Sequence, residues 1–90
     1  MPKFVIERHI PDVAEWPETR IREASLKSLE ALASLGPGIQ WIHSFITDDK
    51  MYCIYYAPDE SLILAHGRLS GMPVDRVAAV RRLIDPSNYQ

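Results

Sequence analysis

The stretch Gly36-Pro37-Gly38-Ile39-Gln40-Trp41-Ile42-His43-Ser44-Phe45-Ile46-Thr47-Asp48-Asp49-Lys50-Met51-Tyr52-Cys53-Ile54-Tyr55-Tyr56-Ala57-Pro58 decides the fold. Its two halves, Ile39 to Thr47 and Lys50 to Ala57, are rich in β-branched and aromatic side chains and read as strands. Asp48-Asp49 between them reads as a tight turn, so the pair forms a hairpin. Pro58 ends the second strand. The register has two solutions. A two-residue loop sets Thr47 against Lys50 and His43 against Ile54, turning Cys53 to the other side of the sheet. An odd loop or a bulge sets His43 against Cys53.

Upstream, the apolar and small residues Ile21, Ala24, Ser25, Ser28, Leu29, Leu32 and Leu35 recur at helical spacing. Pro17 suits the first helical position, where its missing N–H costs nothing. Gly36 and Pro37 stop the helix. Before it, Lys3 to His9 reads as a strand, with Phe4 and Ile6 on one face and Val5, Glu7 and His9 on the other. Downstream, Asp59 is a good N-cap for a helix over Glu60 to Ser70. Leu62, Ile63, Ala65, His66 and Leu69 are its expected inner face, and Gly71 and Pro73 its stop. Val77 to Ile84 reads as a last strand, at an edge because of Arg81-Arg82. The order is strand, helix, hairpin, helix, strand. It predicts an α+β, ferredoxin-like βαββαβ sandwich, a four-stranded antiparallel sheet with both helices on one face.

Ninety residues predict one domain, 1–90, and a modest core that pairing with a second copy would enlarge. Ten basic residues against twelve acidic ones leave a net charge of −2, which gives no basic footprint for nucleic acid. The one cysteine excludes an internal disulfide. No apolar run reaches the length of a membrane span, and charge follows the first residues too soon for a signal peptide. A cytoplasmic location is expected.

No phosphate-cradling glycine motif, nucleophile elbow, C-x-x-C or H-E-x-x-H occurs. The side chains able to ligate a metal are Glu7, His9, His43, Cys53 and His66. Imidazole, thiolate and carboxylate together suit nickel, copper or zinc. Each has a plainer role: Cys53 as a small buried hydrophobe, His43 and His66 as hydrogen-bonded histidines, and Glu7 with Arg8 as an exposed pair. Trp41, Tyr52, Tyr55 and Tyr56 form an aromatic band, the wall of a small-molecule pocket or an interface.

Several blocks carry a resemblance: Pro2 to Arg8, Gly36 to Ser44, Asp48 to Tyr55, Ala57 to Glu60, His66, and the ending Ile84-Asp85-Pro86. In order, they resemble a family of short ferredoxin-like domains of unknown function that includes a nickel-binding protein. The resemblance implies a ferredoxin-like fold, a homodimer and nickel binding or sequestration, with Glu7, His43, Cys53 and His66 as ligands and His9 as a weaker candidate. The rival expectation is an enzyme or ligand-binding domain of the dimeric α+β barrel kind, isomerase- or monooxygenase-like. There His43 or His66 would be the acid–base in a pocket lined by Trp41, Tyr52 and Tyr55.

Overall fold

A computed structural model describes the chain from Met1 to Gln90. Its elements are β1 (Lys3–His9), a 3-10 turn (Val13–Glu15), α1 (Glu18–Leu35), β2 (Gln40–Ile46), β3 (Lys50–Tyr56), α2 (Glu60–Ser70), β4 (Arg76–Ala79) and a closing 3-10 turn (Pro86–Tyr89). The strands form one antiparallel sheet in the order β2-β3-β1-β4. That is the ferredoxin-like arrangement the element order predicts. No helix is long and apolar enough to cross a membrane.

Local chemistry sets the helix ends. Pro17 caps α1 from just outside it. The Asp59 carboxylate accepts from the backbone N–H groups of Ser61 and Leu62, satisfying donors that an α-helix leaves without partners. Gly71 takes the left-handed conformation, φ 72°, that closes α2.

The hairpin has the two-residue loop. Thr47 N–H donates to the Lys50 carbonyl at 2.9 Å. Ile46 then faces Met51, Phe45 faces Tyr52, Ser44 faces Cys53 and His43 faces Ile54. A bulge does occur, but it falls between Trp41 and His43, so it shifts Trp41 to Tyr55 and leaves His43 away from Cys53.

The core lies between the helices and one sheet face. Phe4, Ile6, Cys53 and Tyr55 meet Ile39, Ala57 and Ile63 there, with Leu32, Leu35 and Leu62 packed at the margin. Three expectations need correction. In α1, Ala31 is buried and Leu29 is half exposed, because the stripe follows the rows that meet α2, not side-chain size. In α2 the inner row is Ile63, His66, Gly67 and Ser70, and Leu69 faces out. Gly67 allows this approach: a Cβ there would lie 2.6 Å from Val74 Cγ2. The last strand is shorter than Val77 to Ile84. It pairs only with β1, and its last bond, Val80 N–H to the Lys3 carbonyl, uses the first residue of β1. Beyond that point comes Pro2, which has no N–H to offer and whose carbonyl accepts from Ala57 on the other side, so Arg81–Ile84 are left out of the ladder.

Candidate functional site

Strand alternation divides the candidate residues between two faces. On β1, Phe4, Ile6 and Arg8 point to the helices, while Lys3, Val5, Glu7 and His9 point away. Through the register, Glu7, Tyr52 and Phe45 share the outer face, as do Val5, Ile54 and His43. Cys53 and Tyr55 face inward.

On the outer face, His43 and Phe45 meet edge-on, ring centroids 5.1 Å apart. Lys50 Nζ stands 3.8 Å from Glu7 Oε1, and Lys3 Nζ lies over the Tyr56 ring. Both helices pack on the other side, and Phe45 is 57% exposed. Glu7 and His43 sit on strands flanking β3, offset by two residues. Ordinary strand spacings put their Cα atoms about 12 Å apart.

The inner face holds a polar cluster inside the core. Arg8 is 1% exposed. Its Nε donates to Cys53 Sγ at 3.5 Å and its Nη1 to the Pro73 carbonyl at 2.8 Å. His66 Nε2 lies 3.0 Å from Ser28 Oγ and 3.2 Å from the Ser28 carbonyl. A carbonyl only accepts, so Nε2 carries the hydrogen. Burial lowers the His66 pKa and so keeps the ring neutral; the hydrogen bond to the Ser28 carbonyl opposes this and the Arg8 charge adds to it. Burial also raises the Tyr55 phenol above its usual range, with the Cys53 group adding to the effect. Tyr55 and His66 rings are 5.2 Å apart.

Against this cluster lies a cavity of about 30 Å³, lined by Arg8, Ser28, Trp41, Ser44, Cys53 and Tyr55 among others. Trp41 and Tyr55 are on its wall, whereas Tyr52 belongs to the outer face.

The four candidate nickel ligands fall into two pairs separated by the sheet: Glu7 and His43 outside, Cys53 and His66 inside. No three His, Cys, Asp or Glu side chains of one chain come together as a metal site. One chain therefore does not fit a nickel ion by itself. His9 stands apart as well, 3.5 Å from Asp49 at the sheet end. Arg8 is the residue the reading of the sequence missed. The expected exposed pair with Glu7 does not form, since Arg8 is buried and Glu7 meets Lys50; period-two alternation extended from Phe4 and Ile6 is the signal that places Arg8 inward.

Comparison with known proteins agrees with the fold. The crystal structure of SCO4226 from Streptomyces coelicolor A3(2) superposes with a TM-score of 0.76, over 91% of this chain and 99% of that one, at 11% identity. At that identity the likeness is one of fold. No curated protein matches the chain significantly. The family model described as "Nickel responsive protein SCO4226-like" matches residues 4–80. By that match, which spans most of its length, the chain belongs to the SCO4226-like family of nickel responsive proteins.

Proposed function

We propose that the protein binds nickel as a homodimer and sequesters it, the ion lying between the outer sheet faces of two copies. Glu7 of one protomer and His43 of its partner supply carboxylate oxygen and imidazole nitrogen. The observation that carries this reading is the position of Glu7 and His43 on a sheet face that neither helix covers. Glu7 and His43 stand apart within one chain, and His9 is turned to Asp49 at the sheet end, so a second copy is needed to complete a donor set. Val5, Phe45 and Ile54 give the same face apolar surface for a partner. The family description adds nickel responsiveness.

Cys53 and His66 are weaker candidates for physical reasons. A divalent cation at Cys53 Sγ would sit beside the fixed charge of Arg8, 3.5 Å away. His66 Nε2 already carries a hydrogen directed at Ser28.

X-ray absorption spectroscopy of the nickel-loaded, tag-free protein tests the ligand set. Nitrogen and oxygen neighbours alone are expected, with an imidazole signature. A sulfur neighbour at thiolate distance overturns the outer-face site, because Cys53 is the chain's one cysteine.

A further inference from the structure

Arg8 is buried, and a guanidinium keeps its charge at any pH a protein survives. Buried charges are ordinarily paired, because taking an ion out of water costs several kcal/mol. The carboxylates that meet a basic side chain are Asp49 beside His9, Asp12 with Arg20 and Glu7 with Lys50, so no carboxylate answers Arg8. Its protein partners are all uncharged or weakly acidic groups: the Cys53 sulfur, the Pro73 carbonyl and the Tyr55 phenol.

The cavity beside it is rich in donors and holds no acid. Ser44 Oγ accepts from Trp41 Nε1 at 2.9 Å, which leaves its own O–H free to donate. Ser28 Oγ lies 3.0 Å from His66 Nε2 and its hydroxyl also meets the Tyr55 phenol, at the cavity wall. Tyr55 adds a phenol to the lining. None of the lining residues is Asp or Glu. A volume of about 30 Å³ admits one or two water-sized groups.

We propose that this cavity is a binding site for a small monovalent anion of halide size, held by the Arg8 guanidinium and the Ser28 and Ser44 hydroxyls. The anion supplies the missing counter-charge and accepts the hydrogen bonds that the cluster offers. A volume of one or two waters suits a small anion, and the absence of any carboxylate selects against cations. The site is independent of the outer-face nickel reading, since the sheet lies between them.

Trp41 lines the cavity and reports on it directly. The test uses the tag-free Trp16→Phe protein, whose remaining tryptophan is Trp41, titrated with bromide at constant ionic strength with gluconate as the balancing anion. Bromide is a heavy-atom quencher, and gluconate is too large for the cavity. Saturable quenching is expected, reversed by chloride and accompanied by a rise in Tm that saturates over the same range. Ser44→Ala keeps the guanidinium and removes one donor. It should weaken the bromide midpoint about ten-fold, the worth of a hydrogen bond to a charged group. Arg8→Gln should abolish saturation. If Arg8→Gln does not fold, the Ser44→Ala shift still decides. Quenching that rises linearly with bromide and is unchanged in Ser44→Ala overturns the site. So does a thiolate absorbance in the native protein that disappears on unfolding at the same pH, because Cys53 would then be the counter-charge.

Discussion

The Arg8 guanidinium and the Cys53 sulfur face each other across β1 and β3, Nε to Sγ 3.5 Å, in the buried side of the sheet. This contact separates two chemistries that the sequence leaves mixed. The fixed charge of Arg8 disfavours a cation beside Cys53, and for that reason the proposed nickel site uses Glu7 and His43 on the outer face.

Gly67 marks where α2 closes against the segment leading into β4. Gly67→Ala should destabilise the protein by about 1–3 kcal/mol, since its Cβ meets Val74 Cγ2 and overpacking outweighs the gain of about 1 kcal/mol in helix propensity. Denaturant unfolding of Gly67→Ala, Val74→Ala and the double variant checks it. Partial rescue in the double variant is expected, and strict additivity would mean that the two positions do not collide.

Burial lowers the pKa of His66 from 6.5 in the folded protein. As pH falls through that value the unfolded chain takes up the proton first. The folded state therefore keeps its full stability above about 6.5 and loses it progressively below, down to the lowered folded value. Tm measured from neutral to mildly acid pH should fall in the wild type and fall less in His66→Asn. The carboxylates held low by hydrogen bonds, Asp12 with Trp16 and Asp59 and Asp85 with the serines two residues on, act only around and below 3.8. They do not contribute to the change near neutrality.

Phe45 is the large apolar residue most exposed on the outer face of β2. Phe45→Asp should convert the proposed dimer to a monomer with little change in the monomer's far-UV circular dichroism. Sedimentation velocity reads the change. A wild type that sediments as a monomer at all concentrations would remove the partner from the account.

Much of the fold was legible because its signals are local. Asp59, Gly71 and the Gly36-Pro37 pair bound the helices by chemistry within a few residues, and Asp48-Asp49 sets the hairpin loop. The misreadings all depend on distant partners. The length of β4 follows from where β1 begins. The exposure of Leu29 and Leu69 follows from how α1 and α2 cross. Arg8 finds its partners 45 and 65 residues away, so nothing in its neighbourhood announces burial except the parity with Phe4 and Ile6. For the site, residue type alone grouped Glu7, His43, Cys53 and His66; strand parity divides them.

Isothermal titration of nickel into the tag-free protein tests the central claim most directly, with Cys53→Ser and the Glu7→Gln, His43→Ala double variant alongside. Saturable binding near one ion per two chains is predicted for the wild type, retained in Cys53→Ser, lost in the double variant and weakened at acid pH as protons compete for the imidazole. Absence of binding in the wild type, or binding that survives the double variant and disappears with Cys53, would contradict the account.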